Sequence, residues 1–296
     1  MKFNKGYIKL HFLVVLWGFT AVLGLLIKLS FIEVVFYRTL LSVVPLALIL
    51  VISKVGFSIN PREGMKLILT GVVIAVHWLL FFGAARYSNA SVSLIGLSTV
   101  TFWTSFLEPL IHKRKLSWIE ILFGLSVAGA LFIIFGQDFS YGLGLAMSLL
   151  SALLAAFFSV LNYGYVRKHS ALTITFYEMV GAWLGTIPFL WILTTPDKVL
   201  LNLPSWSDMG YLLILAIICT VYANIEATRL LRQFSVFASN LVINLEPIYG
   251  ILLALLFFGD SEKMNLSFYV GAGVLTFVVF LYPIVLKKVG EKFGRS

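Results

Sequence analysis

A carboxylate followed by a proline, Glu246-Pro247, sits inside the apolar run 235–258. At about 1.5 Å of rise per residue, Glu246 lies roughly 16 Å into that run, near the middle of a ~30 Å hydrocarbon slab. An ionisable group at that depth costs on the order of 2.5–3.5 kcal/mol by insertion scales, and the proline leaves a carbonyl one turn earlier without its donor. Both features survive only where protein or water surrounds them. The position predicts a wet cleft in which Glu246 binds a cationic group or exchanges a proton. The plain alternative is a structural carboxylate held by Asn244 or a helix end.

Other polar and aromatic residues fall at comparable depth. Arg38, roughly 10 Å into the run 31–52, offers a planar fork for a substrate carboxylate, or else a structural cation that snorkels or binds carbonyls. His77, about 18 Å into the run 65–85, is followed by Trp78, and its level matches that of Glu246. Trp17, Trp103 and Tyr249 lie at similar levels, where rings form a flat apolar clamp or simply pack between helices. Thr99 and Asn244 add neutral polar groups, Asn244 lying about 200° around the helix from Glu246, so that it faces the cleft only if the helix breaks at Pro247. The predicted substrate-binding set is therefore Glu246, His77, Trp78, Trp17, Trp103, Arg38, Thr99, Asn244 and Tyr249. Glu178, Tyr37 and Tyr177 are expected to act as gate or charge-paired residues. Asn162, Asn224 and Asn240 read as amides that hold neighbouring helices together. Nothing in the sequence calls for a metal or a cofactor; a proton is the one coupling species the pattern suggests.

The elements that must position these groups are helices in a bilayer. The chain has 296 residues, 60% hydrophobic and 12% charged, with mean hydropathy +1.00, too apolar for a soluble surface. Apolar stretches long enough to cross a bilayer fall at 8–27, 31–52, 65–85, 90–111, 117–135, 142–165, 172–194, 209–228, 235–258 and 266–286. The expected fold is an all-α integral membrane protein of ten transmembrane helices. Most of the 22 lysines and arginines group in the connections on one side, including Lys2, Lys5, Lys9, the Lys113–Lys115 run, Arg232 and the tail from Lys287 to Arg295. The positive-inside rule then places both ends in the cytoplasm, with the basic tail against anionic headgroups. Few cations face outward: Lys28, Arg86, Lys198 and Lys263. The net charge of +9 thus reflects topology rather than nucleic acid. The first span carries no convincing cleavage site and is expected to stay in place as a helix. Cys219 is the single cysteine, which excludes an internal disulfide and a thiolate metal cluster.

The chain also reads as written twice. Phe36-Tyr37-Arg38 is echoed by Phe176-Tyr177-Glu178, and Ala85-Arg86 by Thr228-Arg229. Five spans per half is odd, so the second half enters the membrane from the opposite side, giving two inverted five-helix repeats, 1–138 and 139–296. Leu107-Glu108-Pro109 is not the repeat copy of Leu245-Glu246-Pro247. Pro109 stands three residues before the His112–Lys115 connection and Pro247 twelve before Gly259, which makes the region of Val100 the counterpart of Glu246. Glu226 and Glu108 are expected to pair with Arg229, Arg232 or Lys113. Gly181 and Gly185 permit close helix packing within the monomer.

In the order of its short motifs the chain resembles the EamA-like transporters of the drug/metabolite transporter superfamily. The matching residues are Trp17-Gly18, Arg38, Ala84-Ala85-Arg86-Tyr87, Leu245-Glu246-Pro247 and Gly259-Asp260. The first half departs from the pattern around Val100-Thr101, where the proline is missing, and at Lys113-Arg114, where the acidic residue is missing. The resemblance implies an exporter or exchanger of small polar or amphipathic metabolites, amino acids among them, working by alternating access in a cell membrane such as the bacterial inner membrane. A lipid flippase or scramblase is the alternative, and a membrane-embedded enzyme a weaker one. No phosphate loop, His-Glu-x-x-His or Gly-x-Ser-x-Gly occurs. The expected partners are a small-molecule substrate, the bilayer and optionally a second copy of the chain, but no nucleic acid.

Overall fold

The computed structural model describes residues 5–55, 57, 59–135, 141–193 and 201–292. The sequence expectations for Lys2, Lys198 and Arg295, and for the side chains of the basic tail from Lys287, lie outside the described residues.

The described residues form helices and no strands. They are α1 (Lys5–Leu26), α2 (Phe31–Ile52), α3 (Pro61–Tyr87), α4 (Ala90–Leu97), α5 (Val100–His112), α6 (Trp118–Phe135), α7 (Gly142–Tyr165) and α8 (Ala171–Leu193). There follow α9 (Trp206–Leu213), a π-helical stretch Ile214–Tyr222, α10 (Ala223–Leu230), α11 (Val236–Ile243), α12 (Glu246–Phe258) and α13 (Leu266–Lys292). Their bounds fall within a few residues of the stretches expected from hydropathy. Among the described residues, seven of these stretches are long and apolar enough to cross a membrane, with α4–α5, α9–α10 and α11–α12 each counted as one continuous rod.

Local chemistry sets the helix starts. Ser30 and Glu33 form a reciprocal capping box at the head of α2, with Ser30 Oγ accepting from Glu33 N at 3.3 Å and Glu33 Oε2 from Ser30 N at 2.9 Å. Asn60 caps α3 ahead of Pro61, Asn89 caps α4, and Ser235 caps α11. Two rods are broken in the middle. Pro247 sits just inside α12 and forces the interruption at Asn244-Leu245, where Asn244 N reaches Leu241 O and Leu245 N reaches Val242 O, each three residues back. The other break, at Ser98-Thr99, has no proline. There the two hydroxyls turn back onto the carbonyls of Ile95 and Gly96, at 2.6 and 2.8 Å, and supply the local bonds that compete with a continuing helix.

Two glycine contacts set the packing that matters for the site. A Cβ on Gly71 would stand 2.1 Å from the carbonyl oxygen of Glu178, and one on Gly181 would stand 2.1 Å from that of Ile68, so α3 and α8 touch backbone to backbone. Gly181 and Gly185 therefore serve packing inside one chain, as expected. In the same way a Cβ on Gly18 would lie 2.9 Å from Gly250 N and 3.0 Å from Glu246 O, which draws α1 against the first turn of α12. Trp118, Trp191 and Trp206, near the ends of their helices, are exposed. Trp183 instead packs its ring 6.2 Å from that of Phe36 against the core, on the helix that the glycine contacts draw against α3.

Candidate functional site

The close packing of α1 on α12 and of α8 on α3 leaves a central cavity of about 130 Å³ between the rods. Trp17 and Glu246 enter it beside the Gly18–Gly250 contact, Arg38 from α2, His77 and Trp78 from α3, and Glu178 from α8. The wall reaches Leu10, Asn224, Ala227 and Leu231 at the end of the bundle where α1 begins. No described residue of the connections at the opposite end contributes to it.

Arg38 is 2% exposed. Its Nε donates to Thr220 Oγ1 at 2.6 Å, its Nη2 lies 3.5 Å from Cys219 O, and its guanidinium carbon stands 3.9 Å over the Trp78 ring. These contacts use one edge and one face of the fork. The π-helical stretch is what makes the acceptor available: Thr220 Oγ1 itself donates to Leu215 O, five residues back, at 2.7 Å. Glu246 is 4% exposed, and no hydrogen bond to its carboxylate is found among the described residues. Arg38 and Glu246 thus share a cavity without being joined as an ion pair. Arg38 is satisfied in part by Thr220, Cys219 and Trp78, whereas the Glu246 carboxyl is a buried polar group without a bonded partner, which is costly.

His77 has a defined tautomer. Ser151 Oγ donates its one hydrogen to His77 O at 2.9 Å, and the Ser151 carbonyl, 2.9 Å from Nδ1, can only accept. Nδ1 therefore carries the proton and Nε2 the lone pair. Phe81 and Phe158 pack against the ring and continue the aromatic wall.

Of the predicted set, the structure brings Glu246, His77, Trp78, Trp17 and Arg38 together. It does not bring Trp103, Thr99, Asn244 or Tyr249 to the wall. The Thr99 hydroxyl is spent on Gly96 O at the helix break, Asn244 lies inside the other break, and Trp103 and Tyr249 pack against the core. Glu178, expected as a gate or charge-paired residue, makes no ion pair among the described residues. It is 2% exposed, lines the cavity, and its Oε1 has no hydrogen-bond partner among the described residues. Asn162, Asn224 and Asn240, read from sequence as helix-to-helix amides, are on the wall as well. Asn240 also donates to Thr104 Oγ1 at 2.7 Å. Val100, the expected counterpart of Glu246, begins α5 as Glu246 begins α12, and it too lines the cavity.

Latches at the two ends of the bundle come in matched pairs. Tyr37 donates to Asn202 O and Tyr177 to Phe57 O, each at 2.7 Å, each onto the connection that precedes a rod of the other half. Arg86 donates to the carbonyls of Gly24, Ile27 and Leu29. Its functional match is Arg232, which donates to Val166 O and His169 O at 3.0 and 3.2 Å. The expected match, Arg229, instead pairs with Glu226 at 2.5 Å, beside Lys9 at 3.0 Å. Glu262 accepts from Ala90 N and Ser91 N at 3.0 Å, holding the head of α4. Glu108 accepts from Phe237 N at 3.1 Å, holding the head of α11, and takes Arg114 rather than Lys113 as its cation.

This arrangement has recognisable relatives. The model of the EamA-like transporter family matches the chain twice, over residues 4–136 and 142–283. The pseudopaline exporter CntI of Pseudomonas aeruginosa is 28% identical over 162 residues, in strain UCBPP-PA14 and likewise in strain PAO1. That match covers 54% of this chain and 56% of the exporter, about half the length of each. A crystal structure with 12% identity superposes at a TM-score of 0.71 over 95% of this chain and 98% of its own, a likeness of fold. Two family matches that between them take in both halves of the cavity leave one conclusion: the chain belongs to the EamA-like transporter family.

Proposed function

We propose that the protein is a secondary transporter of small zwitterionic metabolites, amino acids being the simplest class, that works by alternating access across a bacterial inner membrane. Ten crossings, with both ends in the cytoplasm and the second half inverted relative to the first, account for the charge distribution and for the matched latches. In that orientation the cavity extends toward the cytoplasm, and the latches around Arg86, Glu262 and Tyr37 face outward. Loading from inside, together with the similarity to an exporter, favours efflux.

The observation that carries the reading is the pair Arg38 and Glu246. Opposite charges, both buried and not bonded to each other, face one aromatic-walled space. Arg38 donates to a substrate carboxylate from its free edge and Glu246 takes the ammonium group. Trp17 and Trp78 cover the apolar part of the ligand. No cofactor enters the scheme, and a proton exchanged at Glu246 is the coupling species it offers.

The test is thermal unfolding of the purified chain in detergent against a panel of amino acids, followed by flux in liposomes. A ligand at a hundred times its Kd adds about 2.7 kcal/mol of stability. Stabilisation by zwitterions, lost in Arg38→Gln and in Glu246→Gln, is the expected result. A panel without effect, or equal effects in wild type and both variants, refutes the assignment.

A further inference from the structure

Glu178 is the buried charge that a simple zwitterion leaves unused. It is 2% exposed on α8, at the position of the second half that corresponds to Arg38. Glu178 and Asn162 both line the cavity, and the Oε1 of the one and the Oδ1 of the other lack a hydrogen-bond partner among the described residues. Asn162, on α7, is 6% exposed, and its side-chain amide interacts with the Glu178 carboxylate. Two unsatisfied acceptors on adjacent helices, one of them a carboxylate, define the group that complements them. It must bring several donors and a positive charge. A hydroxyl brings one donor and no charge; an ammonium brings three donors on a compact centre.

We infer that Glu178 and Asn162 form a second cation subsite, so that the preferred substrate is an amino acid with a cationic side chain. This deepens the zwitterion assignment and rests on it. The ligand's carboxylate meets Arg38, its α-ammonium meets Glu246, and its terminal ammonium reaches Glu178 and Asn162. The cavity wall holds two carboxyl groups, Glu178 and Glu246, against one guanidinium, Arg38, so a ligand with two ammonium groups and one carboxylate matches its complement of polar groups. The backbone of Glu178 is pinned against Gly71, which fixes where the subsite lies relative to α3.

L-lysine and L-norleucine share the same main chain and a four-carbon side chain, and they differ in the terminal ammonium. Each is titrated into the full-length protein in detergent and binding is read from the shift in unfolding temperature. Lysine is expected to bind wild type roughly ten- to a hundredfold more tightly than norleucine, the range of a charge-assisted hydrogen bond. Glu178→Gln, which keeps the side-chain shape, is expected to remove that advantage so that both ligands shift unfolding alike. Asn162→Val, probing the second acceptor without touching the charge, is expected to shrink it. Equal binding of the two ligands to wild type overturns the subsite and leaves the zwitterion assignment standing, as does a lysine preference that survives Glu178→Gln. Failure of both ligands to bind wild type overturns the two together.

Discussion

A methyl group added at Gly71 or Gly181 tests whether backbone contact between α3 and α8 holds the site together. In either case the new Cβ would stand 2.1 Å from a carbonyl oxygen of the facing helix, Glu178 O or Ile68 O. Relief to roughly 3.0 Å requires the helices to separate by nearly an ångström, because the obstacle is backbone and cannot rotate away. Overpacking of this kind costs about 1–3 kcal/mol, and contact with backbone on both sides puts these positions toward the upper end. Alanine regains about 1 kcal/mol of helix propensity over glycine, so the net loss is about 1–2 kcal/mol. For a chain of this size that lowers the unfolding temperature by roughly 2–4 °C per kcal/mol. Gly129 in α6 is the internal control, since a Cβ there meets nothing within 4 Å. Gly129→Ala should keep only the propensity gain and melt higher, while Gly71→Ala and Gly181→Ala melt lower. The double variant should cost less than the sum, because one separation relieves both clashes. The measurement is thermal unfolding in detergent, with oligomeric state followed by light scattering. Gly71→Ala and Gly181→Ala melting at or above wild type would refute the packing argument, and a change of oligomeric state without a change in melting would move the glycine pair to a subunit interface.

Two further substitutions address the orientation of Arg38 and the latch at one end. Thr220→Val removes the acceptor of Arg38 Nε at nearly constant volume, and the loss of that hydrogen bond, about 1 kcal/mol, should weaken binding of a carboxylate ligand roughly fivefold. Equal affinity in isothermal titration would show that Trp78 alone orients the guanidinium. Arg86→Ala strips three carbonyls of their donor and should lower stability by about 1–3 kcal/mol. Denaturation of Arg86→Ala together with Arg232→Ala checks the matched roles, since similar losses are expected from both and a silent Arg232→Ala would break the match.

Hydropathy carried most of the helix layout, because a bilayer demands long apolar runs and leaves little freedom over where they end. Depth along a rod matched His77 to Glu246, and both line the cavity together with Arg38. The direction in which a side chain points around its rod was not legible, because it depends on how neighbouring helices close. Glu178 is the clearest case. It was read as a gate or charge-paired residue, and its presence in the same cavity as Arg38 follows from Gly71 and Gly181, which pull α8 against α3. Asn240 is another, brought to the wall beside a helix that is interrupted at Asn244-Leu245. The break at Ser98-Thr99 gave no proline signal, because two hydroxyls bonded to preceding carbonyls accomplish what Pro247 does in the other half. The π-helical stretch that presents Thr220 to Arg38 left no mark in the residue pattern.

The proposed inversion gives the opposite signs of Arg38 and Glu178 a physical reading. An inverted repeat places the same helix position on two walls of one central space, so the two residues are fixed as a pair by the architecture. Two arginines there would add like charges in a region of low dielectric, where repulsion is poorly screened. Two carboxylates would repel likewise and leave no donor for a substrate acid. One of each makes a cavity that is polar from wall to wall, and such a space orients an extended ligand as well as attracting it. Glu246 has no acidic partner at its own related position, since Val100 stands there. The asymmetry supplies the additional negative charge that a cationic side chain requires, and it arises at the same helix break where the first half lacks its proline.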